Sequence, residues 1–271
     1  MFPELGSNGI IRVAFVQWPE GLVPGSDRWA SLAEQVVSAA PDVLITNELP
    51  FGTWLASSGV FDHAAAEHSV ALHESGLNAL RALGLPLVLS SRPVWAGRHL
   101  ANQAFALRGE SCQALHHKHF FPAEEGWHET TWFRTARSGF EVADLGGLCV
   151  GVLLCTELMF NEHARAYGRA GADLILAPRA TGGEASIWKT AATMAAIVSG
   201  AYVVSSNRIG SSPGSPVFDG GAFAFAPDGA LVAESSPADT LVLFDLDRAA
   251  ARKQKAEYPN YVQESPLPLD Q

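Results

Sequence analysis

The sequence predicts an α/β layered fold with mixed rather than purely parallel sheets. Short β-rich apolar runs alternate with amphipathic helical stretches along the chain, the pattern of sheets covered by helices. Some neighbouring runs are close enough to form hairpins, so part of the pairing must be antiparallel. Of the 271 residues, 48% are hydrophobic and only 17% are charged, which supplies a sizeable core.

Taken in order, Ile10–Gln17 reads as a strand broken by Trp18, Pro19 and Gly21. Ser26 or Asp27 caps a helix running to Ala40, with Leu32, Val36 and Val37 on one face. Val43–Thr46 is a short buried strand that runs straight into Asn47-Glu48-Leu49-Pro50. A helix from about His63 to Leu83 precedes a strand at Pro86–Ser90. Asn102–Leu107 and Cys112–His116 pair around Arg108-Gly109-Glu110, and Pro122–Thr131 reads as a loop. The strand Cys149–Leu154 is followed by a helix, Asn161–Ala170, that Gly171 ends. Asp173–Ala177 and Ala201–Ser205 are strands flanking a helix over Ser186–Ser199. Ala222–Ala226 and Leu231–Ala233 form a hairpin around Pro227-Asp228-Gly229. Leu241–Phe244 is the last strand and Asp247–Lys255 a short helix. No repeat or low-complexity linker interrupts this pattern, so a single domain over 1–271 is expected. Its last residues, Pro259–Gln271, form a polar tail that is either loose or packed on a partner subunit.

The formal net charge is −10, with Arg252, Lys253 and Lys255 the densest basic group. Nucleic acid and anionic membrane surfaces demand clustered Lys and Arg, so neither is an expected partner. Three cysteines without a close Cys-x-x-Cys pair give neither a zinc ribbon nor a disulfide framework and favour a reducing, cytoplasmic setting. Met1–Gly9 lacks the pattern of a secretory signal, and no run approaches the ~20 apolar residues of a membrane span.

The chemistry-bearing positions cluster at strand ends. Glu48 follows the run Val43–Thr46, where a carboxylate is costly unless paired or solvated. Lys118 follows Cys112–His116, inside His116-His117-Lys118-His119. On an extended chain His116 and His117 face opposite ways, so the histidines do not converge readily on one ion and no metal is expected. Cys155 ends the apolar run Cys149–Leu154, and the polar Thr156-Glu157 marks the chain leaving the sheet. Buried free cysteines are common core residues, which is the expected role of Cys149. Cys155 is set apart by its place at a strand-to-helix turn.

A carboxylate, a lysine and a cysteine in this order, each after a strand, resemble the carbon–nitrogen hydrolase (nitrilase) superfamily. Val43–Trp54 resembles its glutamate motif, His117–Phe121 its lysine motif, and Gly151–Glu162 with Gly171–Pro178 its cysteine motif and following strand. Ile11–Gln17, Ala201–Gly210 and Gly220–Gly229 resemble its opening and closing segments. The chain departs from the pattern at Asn47, where proline is usual, at Thr156-Glu157, where an aromatic residue and Asp are common, and at Ala195–Ser199. The resemblance implies a four-layer α-β-β-α sandwich with two mixed sheets. It also implies hydrolysis of a small amide or N-carbamoyl amide through a cysteine thioester, with nitrile hydrolysis, acyl transfer or a silent binding subunit as alternatives. Glu48 is the implied base, Lys118 the oxyanion donor together with the backbone N–H after Cys155, and Cys155 the nucleophile. A second glutamate is expected at Glu129 or Glu125, with Glu129 favoured by its distance from Lys118 and the trailing Trp132-Phe133. Thr156, Glu125, Trp54 and Arg179 are expected around the substrate, Arg179 as a partner for a carboxylate. No metal, nucleotide or organic cofactor is implied, and the resemblance implies a homodimer or higher homo-oligomer built on the Asn161–Ala170 helix and the tail.

Overall fold

A computed structural model describes residues 5–6 and 9–263. The chain forms β1 (Ile10–Val16), α1 (Asp27–Ala39), β2 (Val43–Ile45), α2 (His63–Arg81), β3 (Leu87–Ala96), β4 (His99–Arg108) and β5 (Ser111–His117). Next come β6 (Ala123–Glu124), β7 (Trp127–His128), the one-turn α3 (Glu129–Trp132), β8 (Ala143–Asp144), β9 (Cys149–Val152), α4 (Asn161–Arg169), β10 (Leu174–Leu176) and α5 (Ala185–Ser199). The remainder is β11 (Tyr202–Ser205), β12 (Ile209–Gly210), β13 (Phe218–Asp219), β14 (Phe223–Phe225), β15 (Leu231–Glu234), β16 (Leu241–Asp247) and α6 (Arg248–Lys255).

Two sheets carry the fold, in the orders β16-β1-β2-β3-β4-β5 and β15-β14-β11-β10-β9-β8. In each, three central strands run parallel and the outer strands antiparallel. Both faces of the central strands are covered, which is why β2 and β10 read as unbroken apolar runs. Between the sheets, Val13, Phe15, Val43 and Ile45 meet Val150, Val152, Leu174 and Val204. The outer face of the first sheet packs Trp29 and Val36 of α1 and Leu77 and Leu80 of α2. The outer face of the second packs Tyr167 of α4 and Ala192, Ala195 and Ala196 of α5. The result is the α-β-β-α sandwich.

The differences from expectation are local. Ser26 caps α1 as expected, accepting from the Trp29 N–H at 3.2 Å. Val37 is 50% exposed, however. It sits about 100° round the helix from Val36, and the stripe that meets the sheet is too narrow to include both. The segment 122–131 is not a plain loop: it holds the β6–β7 ribbon and the start of α3. The β12–β13 ribbon was likewise not expected. Both ribbons are two-residue pairings, too short to leave an alternating pattern in sequence. Of the expected tail, 264–271 lie outside the described residues. Among the described residues no helix is long and apolar enough to cross a membrane.

One buried histidine supports the site from below. His73 of α2 is 3% exposed. Its Nδ1 lies 2.8 Å from the Ser69 carbonyl and its Nε2 accepts from the Phe51 N–H at 3.4 Å, which fixes a neutral ring. Burial pulls it from the ordinary 6.5 down to about 4, with the Arg208 and Arg92 charges adding to the fall. Between those values the unfolded chain takes up a proton that the folded chain refuses. The stability His73 contributes is therefore intact above pH 6.5 and lost as pH falls through about 4. Urea unfolding at pH 7 and pH 4 should show about 3 kcal/mol of loss from this group. His73→Gln should lose correspondingly less over the same interval.

Candidate active site

Glu48 and Cys155 leave the sheets at the carboxyl ends of the parallel strands β2 and β9, where α/β folds gather ligands, whereas Lys118 and Glu129 follow the antiparallel β5 and β7. Beyond β2, the two sheets are joined by the Ser206 Oγ donating to the Ile45 carbonyl (3.1 Å) and the Glu48 N–H donating to the Arg179 carbonyl (3.3 Å). Leu49 has φ +45°, and its N–H is held by Ser91 Oγ at 2.8 Å. Lys118 follows β5, its N–H bonded to the Asn102 carbonyl at 2.9 Å. Glu129 opens α3. Cys155 opens the 3-10 turn Cys155–Met159 with φ +52°, its N–H bonded to the Pro178 carbonyl at 3.0 Å. A non-glycine residue in that conformation costs roughly 1–2 kcal/mol. Such strain persists only where the surroundings over-determine it.

Glu48, Lys118 and Glu129 form one ion set with all three side chains fully buried. Lys118 Nζ donates to Glu48 Oε1 at 2.8 Å and to Glu129 Oε1 at 2.9 Å, and lies 2.7 Å from Glu129 Oε2. Asn102 Nδ2 also donates to Glu48 Oε1, at 2.8 Å. Glu48 Oε2 is buried and has no hydrogen-bond partner. One oxygen of Glu48 is thus pinned and the other is available to take a proton. Burial alone would pull the Lys118 ammonium down, but the Glu129 and Glu48 carboxylates outweigh it and hold it well above the ordinary lysine range. Burial and the nearby Glu48 push the Glu129 carboxyl up, against the pull of Lys118. Burial, followed by Glu48, pushes the Cys155 thiol up to about 12, while Lys118 and a backbone hydrogen bond from Ala180 pull the other way. At neutral pH Cys155 is therefore a thiol, and a thiolate would form there only with a base beside it.

A pocket of about 130 Å³ opens over Cys155, walled by Thr156, Trp127, Trp188, Thr181 and Glu124. The Trp127 indole is locked by donating to the Ala180 carbonyl at 2.8 Å.

The structure separates the sequence-predicted residues. Glu129, not Glu125, reaches Lys118; Glu125 is exposed on the β6–β7 turn. Trp54 is 2% exposed, with its indole donating to the Gly126 carbonyl at 3.1 Å and its ring edge-on to Phe218. It braces the wall carrying Trp127. Arg179, expected to face a substrate carboxylate, is turned inward. Its guanidinium bonds Ser205 Oγ (2.6 Å), Thr181 Oγ1 (3.0 Å) and the Gly221 carbonyl (2.7 Å), and sits against the Trp188 and Phe223 rings. A buried guanidinium with its donors engaged is structural here, a fact set by contacts 26 and 42 residues away.

Three contributors escaped the sequence reading. Asn102 pins the Glu48 carboxylate. Arg208 pairs with Glu20, and its guanidinium also holds the Glu48 loop through the carbonyls of Leu49 and Gly52. Asn207-Arg208 belonged to a noted motif, but only the fold gives Arg208 its partners. Glu157, seen only as a departure after Cys155, accepts from His116 Nε2 at 2.8 Å. Ligand atoms of His116, His119 and Glu157 lie within 4.8 Å of one another. Both Glu157 oxygens already accept N–H bonds, and the two rings are stacked at 5.1 Å rather than aimed edge-on at one point. That donor set suits a hydrogen-bond strut better than a metal.

A buried carboxylate–lysine–carboxylate set thus lies beside a thiol at positive φ, at the ends of the two sheets of an α-β-β-α sandwich. The carbon-nitrogen hydrolase family model matches residues 12–256, and the chain belongs to that family. Among curated proteins it is 29% identical over 158 residues to an N-carbamoylputrescine amidase of Arabidopsis thaliana, covering 52% of this chain and 53% of that one. It is also 29% identical over 157 residues to one from Solanum tuberosum, covering 51% and 52%. The chain thus matches about half the length of these curated relatives. In fold it resembles a carbon-nitrogen hydrolase from Helicobacter pylori G27, with TM-score 0.82 and 19% identity over 93% of this chain and 94% of the other. An amidase from Nesterenkonia sp. superposes with TM-score 0.74 and 22% identity over 91% and 94%.

Proposed function

We propose that the protein hydrolyses a non-peptide carbon–nitrogen bond of a small amide or N-carbamoyl amide through a thioester on Cys155. The observation that carries this is the buried Glu48–Lys118–Glu129 set beside the Cys155 pocket. The substrate carbonyl enters over the thiol. Glu48, through its unpartnered Oε2, takes the thiol proton as sulfur adds to the carbonyl carbon. The carbonyl oxygen becomes an oxyanion, held by the Lys118 ammonium and the Thr156 N–H. The tetrahedral adduct collapses, the C–N bond breaks, and the leaving nitrogen takes the proton from Glu48. Water, deprotonated by Glu48, then attacks the thioester, and the thiol is regenerated as the acid leaves. Glu129 holds Lys118 in place throughout. The residues supply base, electrophile and nucleophile without a cofactor.

The pocket supports a small substrate with an apolar part set between Trp127 and Trp188. The likeness to the N-carbamoylputrescine amidases points to carbamoyl amides within this class. The test is an ammonia-release screen across amides, N-carbamoyl amines and nitriles. Release from amides or carbamoyl amines alone supports the proposal. Activity confined to nitriles, or none above a Cys155→Ala blank on any class, would overturn it.

We further infer one domain, a cytoplasmic setting and a homodimer. The three free cysteines fit a reducing compartment. Ile187 and Met194 on α5, with Tyr258 and Tyr261 after α6, are exposed apolar side chains on and near the helices of one outer layer and fit a self-association face. A monomer by light scattering would refute the dimer.

A further inference from the structure

We propose that Glu157, with His116 as its partner, is a positioning residue that sets the separation between the Lys118 ammonium and the Cys155 sulfur. The inference rests on the reading of Cys155 and Lys118 given above. The Glu157 carboxylate is fully buried. Its Oε1 accepts from the His119 N–H at 2.6 Å, the residue after Lys118. Its Oε2 accepts from the Leu154 N–H at 2.7 Å, the residue before Cys155, and from His116 Nε2 at 2.8 Å. One carboxylate therefore ties the backbone on the far side of Lys118 to the backbone on the near side of Cys155, with His116 as a third anchor on β5. The two segments come from different sheets, β5 and β9. The Glu157 N–H, bonded to the Leu154 carbonyl at 3.1 Å, closes the turn that holds Cys155 at positive φ. A buried carboxylate is tolerated only when its lone pairs are met, and here the donors that meet them come from the two halves of the site.

The geometry makes Glu157→Gln an informative variant. An amide has one acceptor oxygen and one NH2 group. Turned either way, the NH2 is set against a backbone N–H, that of His119 or that of Leu154, so one tie breaks while volume and burial are kept. Misplacement of reacting groups by a fraction of a bond length to 1 Å costs up to about 10²-fold. Per active site, counted by the amount of Cys155 that reacts with iodoacetamide, Glu157→Gln is expected to lower kcat by roughly 10- to 100-fold with KM little changed. The rate of Cys155 alkylation, read by mass spectrometry, should fall in the same variant. His116→Gln keeps a donor near the position of Nε2 and should retain most of the native kcat, whereas His116→Ala should not.

Native kcat per reactive thiol in Glu157→Gln would overturn the proposal, as would equal losses in the two His116 variants. If Glu157→Gln does not fold, the His116 pair decides alone. Slowed alkylation in Glu157→Gln in a protein whose native form turns over no amide would uphold the strut and refute the hydrolase reading. Normal turnover and alkylation in Glu157→Gln would do the reverse.

Discussion

Cys155→Ala is expected to leave no measurable turnover of any substrate the native protein hydrolyses, a loss on the order of 10⁶-fold for a removed nucleophile. The substitution deletes only the sulfur of a side chain that is 2% exposed. Alanine occupies the same left-handed backbone no worse than cysteine does, so stability should change by about 1 kcal/mol at most. Substrate binding should persist, because the walls of the pocket are untouched. Two measurements check this: ammonia release with a calorimetric binding titration, and acid-quenched mass spectrometry of the native protein. The native chain should carry an acyl adduct on the peptide holding Cys155, and the variant none. Full activity in Cys155→Ala would sink the thioester mechanism.

Lys118→Ala should damage both activity and stability. The ammonium is the only cation bonded to the two buried carboxylates of Glu48 and Glu129 in the ion set described. Removing one partner of a buried ionic set typically costs about 3–5 kcal/mol, because the charges left behind stay desolvated. If Lys118 holds the oxyanion as proposed, its loss should also lower kcat by about 10²- to 10³-fold. The pH dependence separates this from a simple packing defect. Burial already raises the Glu129 carboxyl, and without Lys118 it rises further. A carboxyl with a raised folded value is penalised only where the unfolded chain would ionise it. Native Glu129 sheds its proton only near pH 8 and the variant's would be held to higher pH, so the stability gap should be level up to neutral pH and widen as pH rises through about 8. Chemical denaturation at pH 7 and pH 9 reads it. A gap that is constant with pH would mean the loss is one of packing alone.

These effects trace back to features that differ in how visible they were in the chain. The apolar runs and caps are local, so the strands, Ser26 at its helix start and the mixed sheets could be read directly. Glu48, Lys118 and Cys155 each stood at the end of a run, where a polar residue interrupts a core strand. The choice between Glu125 and Glu129 was not local. It depended on the β6–β7 ribbon turning Glu125 outward and α3 turning Glu129 inward, and two-residue pairings leave almost no pattern. Arg179 was misjudged for a related reason. A lone arginine after a strand has no sequence signature that separates a pocket cation from one buried on Ser205, Gly221 and two aromatic rings.

The sequence by itself determined the α/β layering, the order of a carboxylate, a lysine and a thiol at strand ends, and the formal net charge of −10. Those follow from composition and short-range periodicity. Only the tertiary structure decided which oxygen of Glu48 is free, which glutamate holds Lys118, that Arg179 is structural, and that Glu157 bridges the lysine and cysteine segments. Each of these depends on a hydrogen bond between residues from 11 to 70 positions apart. Such bonds are fixed by how two sheets stack, and no property of either residue's neighbours in the chain encodes them.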